Sequence, residues 1–470
     1  MNSQPLLTPV RMGKLELRNR IVMAPLTRMR VSNAGHAPTE LHAEYYAQRA
    51  SAGLIIGECT EISPDAYGWA DTPGLWSTEQ VQGWRRVTDA VHQKGSFMYA
   101  QLWHPGAMSH PDFFEGALPM SASAVNPEQE SVTPSGRKPT VTPRPMSKAE
   151  IRQTVTDFGI AAKNAREAGF EGVQIQANYL YLIAQFLNSA TNLRTDEYGG
   201  SIVNRARFLF EIVEMVLNHV EPGRVGIKIG PTHLTGSFVA NADTLPGMEY
   251  IIERLNDYSL AHLLMMGATT DFAGTPLEHL AGDGMFEHFR MIYNGHLIAN
   301  VGMTQERANR LIAAGLADSI AFGRSYIANP DLPERFLPSA QLNQINWPTV
   351  YASGPEGLHR LSHFVSYAVI PALATSRAAL RASAFTPPVA EAYTAALAKP
   401  TSATMLKLKM IELPGDMTAA SYFKLKKAPL RLIASVSSKI ASVCSLSSAN
   451  LAALVHSRSG VSLKGDKFTR

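Results

Sequence analysis

Short apolar runs recur from Arg20 to Gly323, and segments whose apolar positions have helical spacing lie between them. The runs predict eight strands, at residues 20–24, 53–57, 96–101, 172–176, 225–229, 262–266, 296–300 and 319–323. The spacing predicts helices that include residues 79–94, 148–168, 201–219 and 304–315, the last of which ends at Gly315. Eight strands joined by helical crossovers favour the α/β class and a closed (β/α)8 TIM barrel, with an open doubly wound sheet as the alternative.

The carboxyl ends of the strands form the active site in barrels of this type. The residues predicted there are Pro25, Leu26, Thr27, Gly57, Glu58, Gln101, Gln176 to Tyr181, Lys228, Asn300 to Gly302, Gly323 and Arg324. This set holds no carboxylate pair for glycoside hydrolysis, no metal cluster and no Schiff-base lysine on the sixth strand. Small residues, amides and cations are instead suited to holding a flat, anionic cofactor, and we predict no metal site.

Composition adds a charge asymmetry to this picture. The chain has 470 residues, 45% of them hydrophobic, and a formal net charge of +4. Residues 359–470 hold 15 Lys and Arg against 4 Asp and Glu, so the rest of the chain is net negative. The predicted barrel is therefore not expected to bind nucleic acid. Cys59 and Cys444 are the two cysteines, which supports neither a disulfide framework nor a zinc site and favours a reducing compartment.

The basic tail differs in composition from the segment before it. We divide the chain at this point, into a barrel domain of residues 1–357 and a tail of residues 358–470 that is rich in Ala, Ser and Lys. Three interpretations of the tail stay open: a disordered or partly helical extension, a segment that contacts a membrane surface or a protein, and a reading-frame artefact. No secretory signal or membrane-spanning run is evident, which predicts a cytoplasmic protein.

Four ordered motifs resemble the Old Yellow Enzyme family of flavin-dependent ene-reductases. They are the run from Arg20 to Arg28, the run from Ala100 to Gly106, the run from Arg194 to Ser201 with Asn204 to Arg207, and the run from Ala321 to Asp331. The resemblance covers about residues 5–357. It implies an FMN held without a covalent bond, and NADPH or NADH as the reductant.

The resemblance also implies roles for the strand-end residues. Gly302, Gly323 and Arg324 would surround the FMN phosphate, with Asn300 beside them. Thr27 would bond near the flavin C4 carbonyl after Pro25 and Leu26, Gly57 would leave room for the ring, and Gln101 would pair with the pyrimidine edge. Lys228 stands where the family usually carries arginine. The lysine keeps the positive charge but lacks the planar guanidinium group, whose paired N–H donors form a fork.

The resemblance implies that flavin N5 delivers hydride to an activated alkene and that Tyr181 supplies the proton. Gln176 and Tyr179 replace the two usual carbonyl-binding residues, while Asn178 lies one place early and Tyr351 matches a pocket tyrosine. The expected activity is NAD(P)H-dependent reduction of α,β-unsaturated carbonyl compounds by a monomer or dimer. Because of the replaced pair, two alternatives stay open: a redox-neutral isomerase or cyclase, and a weakly catalytic flavin-binding scaffold.

Overall fold

Eight parallel strands form a closed barrel in the computed structural model, which describes residues 4–231, 233–336 and 340–358. In chain order the strands are β1 (Ile21–Met23), β2 (Leu54–Glu61), β3 (Phe97–Trp103), β4 (Gly172–Gln176), β5 (Val225–Ile229), β6 (His262–Met266), β7 (Leu297–Asn300) and β8 (Ser319–Phe322). The predicted barrel is confirmed, and each of the eight predicted strands overlaps one of these. The tail lies outside the described residues apart from Leu358, which is buried in the core of the barrel unit.

The helices of the described residues surround the barrel or cover its ends. They are α1 (Glu40–Gln48), α2 (Thr78–His92), α3 (Lys148–Glu167), α4 (Leu182–Leu187), α5 (Ile202–Leu217), α6 (Thr244–Leu255), α7 (Gly284–Arg290), α8 (Gln305–Ala313), α9 (Arg324–Ala328), α10 (Leu332–Arg335) and α11 (Trp347–Val350). The four predicted helices correspond to α2, α3, α5 and α8. Within this part of the chain, no helix is both long and apolar enough to span a bilayer.

Local chemistry explains where the long helices begin, and the barrel architecture explains why its strands are buried on both faces. Ser77 before α2 and Ser147 before α3 each accept a hydrogen bond from the backbone three residues on, and the side chains of Gln80 and Glu150 complete two capping boxes. Strands such as β4 and β6 are buried at every position, because helices cover the outer face of the barrel and side chains fill the inner one.

A short hairpin (Val10–Met12 and Leu15–Leu17) closes the amino-terminal end of the barrel. The Lys14 amide donates to Gly223 just before β5, and Met12, Leu15 and Leu17 join the apolar cluster inside the barrel. The strand-end residues line the opposite, carboxyl-terminal end, where the described residues form no such hairpin.

A bulge in β2 changes which side chains reach that open end. Its pairing with β3 shifts register between Ile56 and Cys59, so the inward and outward alternation of the strand is reset there. Side chains alternate between the inside and the outside of a barrel along a regular strand. Beyond the bulge this alternation is shifted by one residue, so each side chain points to the face opposite to the one that regular alternation predicts.

Leu17→Ala should lower the free energy of unfolding by about 2–5 kcal/mol, because it leaves a cavity in the plugged end of the barrel. FMN affinity should stay unchanged, since the cavity lies at the end opposite the strand-end residues. Urea unfolding and flavin titration measure the two quantities. Leu193→Ala is the control, because Leu193 is 63% exposed; equal stability losses in both variants would contradict the packing of the hairpin.

Candidate active site

Cys59, just beyond the bulge, lies at the centre of a buried polar group in the barrel mouth. Its thiol donates a hydrogen bond to Gln101 Oε1 at 3.2 Å. Burial raises the pKa of Cys59 to about 11, and Lys228 and the Thr27 side chain partly offset that rise. The thiol therefore stays protonated at neutral pH. The structure brings Thr27, Gln101 and Lys228 together around Cys59, a residue for which the sequence suggested no role at the site.

Gly57 does not face the barrel mouth, and the expectation that it leaves room for a flavin ring is wrong. A Cβ placed on Gly57 would lie 3.2 Å from Met98 Cε and 3.8 Å from Trp84 of α2, on the helix side of the strand. The bulge is the physical reason, because it turns Gly57 outward and Cys59 inward. Cys59 therefore occupies the inward position that was assigned to Gly57.

Lys228 brings a positive charge to the mouth from β5. Its side chain is partly buried, and burial lowers its pKa, while Cys59 opposes that shift. The ammonium group has no ion pair and no hydrogen bond among the described residues. A desolvated cation without a counter-charge is unfavourable, so this position is suited to an anionic or electron-rich ligand.

The ends of β7 and β8 form a second, more exposed part of the mouth. Asn300 donates from Nδ2 to the Ala321 carbonyl at 2.7 Å and so fixes the two strand ends together. Val301 and Gly302 follow with φ of 79° and 66°, and a β-branched residue in this region costs about 1–3 kcal/mol. Successive residues in such conformations can turn backbone N–H groups toward an anion.

Gly323 and Arg324 lie beside that turn. A Cβ on Gly323 would lie 3.4 Å from Leu26 Cδ2 and 3.9 Å from Ala24 Cβ, which places this glycine next to the segment that follows β1. Arg324 is exposed, and its guanidinium carbon lies 5.7 Å from the centroid of the Trp347 ring. It forms no ion pair in the described ranges, so its charge is available to a phosphate group.

Tyr181 lies on the other side of the mouth, at the start of α4. It is 7% exposed, and its ring packs edge-on against Trp103 at 5.2 Å between centroids. Burial raises the pKa of Tyr181 well above its usual value, and Cys59, Tyr179 and Tyr351 add to the rise. The phenol therefore keeps its proton at physiological pH and can act as a proton donor.

The segment between β4 and Tyr181 departs from regular geometry. Tyr179 has a φ of 64°, and its amide donates to Asn178 Oδ1, so Asn178 stabilises the turn. The Tyr179 ring lies 3.9 Å from the His233 ring and 5.2 Å from the Tyr181 ring. Gln176 is buried, and its Oε1 has no hydrogen-bond partner among the described residues. An unsatisfied buried acceptor of this kind marks a position where a ligand can donate.

Tyr351 lies in the segment of residues 349–356, which we call the terminal loop of the barrel domain. Two buried arginines hold this loop in place. Arg30 donates to the carbonyls of Thr349 at 3.0 Å, Gly354 at 3.0 Å and Glu356 at 3.2 Å. Arg28 donates to the Val350 carbonyl at 3.0 Å. Glu58 accepts from the Arg28 amide at 2.9 Å, and burial raises its pKa to about 7. These contacts position Tyr351, which is close enough to affect the pKa of both Tyr179 and Tyr181.

These residues fit the expected flavin. The unpaired charges of Lys228 and Arg324 lie where the resemblance puts the ring and the phosphate, and the orphaned Gln176 Oε1 lies at the end of β4, in register with Lys228. The sequence placed Glu58 at a strand end but indicated neither the role of Cys59 nor the cluster that Arg28 and Arg30 form with Glu58. The bulge hid Cys59, while the cluster depends on contacts across more than 300 residues of sequence.

Comparisons with known proteins agree with this geometry. Residues 5–343 match the model of the NADH:flavin oxidoreductase / NADH oxidase family. The chain is 39% identical over 363 residues to 12-oxophytodienoate reductase 2 of Arabidopsis thaliana, covering 75% of this chain and 94% of that protein.

Solved structures give the same result. Morphinone reductase in complex with tetrahydroNAD has a TM-score of 0.71 and 39% identity, covering 77% of this chain and 98% of that one. An old yellow enzyme homologue from Zymomonas mobilis has a TM-score of 0.71 and 38% identity, covering 76% of this chain and 99% of that one.

Glu58→Gln should change how stability depends on pH. The folded chain holds the Glu58 proton up to about pH 7, whereas the unfolded chain releases it near the ordinary value of 4.5. This group's contribution to wild-type stability therefore falls as the pH rises through that window and levels off above it. Glutamine does not titrate, so the stability of the variant relative to the wild type should rise by up to about 3 kcal/mol between about pH 5 and pH 8.

Urea unfolding at several pH values measures this difference. Glu167→Gln is the matched control, because the Glu167 side chain is 53% exposed. Its pH profile should run parallel to that of the wild type. A parallel profile for Glu58→Gln as well would show that Glu58 is ionised throughout the window.

Proposed function

Because this chain belongs to the NADH:flavin oxidoreductase / NADH oxidase family, which includes the Old Yellow Enzyme relatives, we propose that it reduces activated C=C bonds of α,β-unsaturated carbonyl compounds. The chain is an FMN-dependent oxidoreductase that uses NADH or NADPH. The observation that carries the finer proposal is Tyr181, a buried phenol that keeps its proton and lies beside Cys59 in the barrel mouth.

We assign the binding of FMN to the two parts of the mouth. Thr27, Gln101 and Lys228 would hold the ring, while Gly302, Gly323 and Arg324 would hold the phosphate, with Pro25, Leu26 and Asn300 shaping the site. Bound FMN supplies hydride transfer between the nicotinamide and the alkene. Lys228 would stabilise negative charge at the pyrimidine end of the ring, and its single ammonium group replaces the fork that an arginine would offer.

Tyr181 completes the reduction by donating a proton to the alkene carbon next to the carbonyl. Burial favours the neutral phenol over the phenolate, so the donor is present at neutral pH. Tyr181 is also held in place, since Trp103 packs against its ring and its backbone forms the first hydrogen bond of α4.

The carbonyl-binding positions favour a restricted substrate range. Gln176 carries one amide donor group and cannot become cationic, and Tyr179 is longer than the residue it replaces and is turned toward His233. Removal of one donor to a developing oxyanion typically costs about 10²–10³ in rate. We therefore propose weak binding of phenols and simple enones, and substrates whose carbonyl group reaches Gln176 and Tyr179 with help from Asn178 and Tyr351.

The position of Tyr179 also favours a second candidate activity. Where both carbonyl donors are weak, a hydride that the substrate gives up could return to another carbon of the same substrate. The result would be redox-neutral isomerisation or cyclisation instead of net reduction. This activity requires turnover without consumption of NADH or NADPH, and consumption in proportion to product would exclude it. A flavin-binding scaffold is the third candidate, which brisk enone turnover by the wild type would exclude.

We assign this chemistry to residues 1–357 and propose that the tail from residue 358 plays no part in it. The family match, which ends at residue 343, supports this division. Leu358 is buried in the barrel core, so the barrel unit extends at least to that residue.

Tyr181→Phe should leave reduction of the flavin by NADPH unchanged and slow reoxidation by 2-cyclohexenone or maleimide by roughly 10²–10⁴-fold, because the proton donor is removed. Anaerobic stopped-flow absorption separates the two steps. The wild type should be bleached by NADPH and reoxidised by at least one activated alkene.

Tyr258→Phe is the matched control, since its hydroxyl group bonds Glu214 on the outer helical layer at 3.0 Å. Both steps should proceed in this variant as in the wild type. A wild-type enzyme that no activated alkene reoxidises would reject alkene reduction, and a Tyr181→Phe variant with normal reoxidation would reject Tyr181 as the donor.

A further inference from the structure

A row of polar side chains runs from the mouth into the barrel interior. The Cys59 thiol donates to Gln101 Oε1 at 3.2 Å, Gln101 Nε2 donates to Gln174 Oε1 at 2.6 Å, and Gln174 Nε2 donates to His262 Nε2 at 2.8 Å. All four residues are buried. The row joins β2, β3, β4 and β6 inside a layer that apolar residues otherwise fill.

A glycine makes the last link of this row possible. Gln174 on β4 is in register with Gly226 on β5, which is in register with His262 on β6. A Cβ on Gly226 would lie 2.2 Å from both His262 Nε2 and Cε1. The absence of a side chain on β5 therefore lets the His262 ring reach across an intervening strand to Gln174.

The amide orientations along the row depend on one another. Burial, with His296 adding to it, lowers the pKa of His262 to about 3, so the imidazole is neutral at ordinary pH. The structure places the Gln174 amide nitrogen against His262 Nε2, so Nε2 accepts and Nδ1 carries the proton, although Nδ1 has no hydrogen-bond partner among the described residues. Gln174 must then present its oxygen to Gln101, and Gln101 must present its nitrogen to Gln174 and its oxygen to Cys59.

We propose that His262 and Gln174 are positioning residues that fix the amide orientation of Gln101, and with it the pattern of donor and acceptor that the protein presents to the pyrimidine edge of FMN. The proposal rests on the assignment of Gln101 to the flavin ring. After its internal bonds, Gln101 keeps one N–H and one oxygen lone pair for the ligand. Carbonyl and N–H groups alternate along that edge of the flavin. If the Gln101 amide were reversed, its N–H would face a flavin N–H and its oxygen would face a flavin carbonyl.

Two substitutions at Gln174 separate positioning from packing. Gln174→Leu has a similar volume but removes both bonds, so the Gln101 amide loses its fixed orientation. Gln174→Glu keeps an oxygen that accepts from Gln101 Nε2, whether the carboxyl group is neutral or ionised. We expect the Kd for FMN to rise about tenfold in the leucine variant, the loss of roughly one hydrogen bond, and to stay within about twofold of the wild type in the glutamate variant.

A packing role predicts the reverse order. Leucine fits an apolar barrel interior, whereas a buried carboxyl group destabilises it, so the glutamate variant would then be the damaged one. FMN affinity is measured by the quenching of flavin fluorescence in titrations of the apoprotein. The melting temperature and the flavin midpoint potential are recorded beside it. Leu264→Ile in the same interior cluster is the control for a small packing change and should match the wild type.

The outcomes are separable. If Gln101→Leu weakens FMN binding while Gln174→Leu binds as the wild type does, the positioning role is overturned and the cofactor site stands. If Gln101→Leu also binds FMN as the wild type does, the placement of the ring at Gln101 is wrong and the inference falls with it. The inference is supported if Gln174→Leu loses FMN affinity and Gln174→Glu keeps it. FMN affinity in these two variants does not depend on which substrate the enzyme reduces.

Discussion

Unpaired positive charge at the carboxyl end of the barrel is the constraint on which the account depends. Lys228 is partly buried and Arg324 is exposed, and neither has a carboxylate partner in the described residues. Burial of the Lys228 cation without a counter-charge costs free energy. The arrangement becomes favourable when a bound anion supplies that charge, and FMN carries a phosphate and a ring that becomes electron-rich on reduction.

The rest of the fold supports this mouth by restricting how its side chains can move. The hairpin plugs the opposite end of the barrel, so the polar groups meet solvent on one side only. Arg28 and Arg30 bind the backbone of the terminal loop and thereby hold Tyr351 near Tyr181. Val301 and Tyr179 adopt left-handed backbone conformations in the segments that follow β7 and β4. Backbone strain of this kind persists only where surrounding contacts maintain it.

Much of the architecture could be predicted from the sequence, because buried parallel strands leave continuous apolar runs. The eight strands were placed to within a few residues, and Gln101, Lys228 and Tyr181 were predicted to lie at the strand ends. Two local features limited the prediction of the site. The bulge after Ile56 exchanged the orientations of Gly57 and Cys59, and no sequence period reports a bulge.

The polar row from Cys59 to His262 was hidden for a different reason. It depends on Gly226 leaving space on an intervening strand, and strand register can be known only once the barrel is closed. Contacts between Arg30 and the terminal loop are equally remote in sequence. Contacts between segments that are distant in sequence determine which side chains meet at the mouth. Local patterns of apolar residues, by contrast, are sufficient to predict that a barrel forms.

The most direct test of the central claim is a comparison of FMN with riboflavin, which lacks the phosphate, in titrations of the apoprotein. The need for an anion at these cations predicts that the wild type binds FMN more tightly than riboflavin. Arg324→Met should lose at least about tenfold of that preference, and Lys228→Met should weaken the binding of both ligands by the same factor. Equal affinity of the wild type for FMN and riboflavin would contradict the central claim, as would an unchanged preference in Arg324→Met.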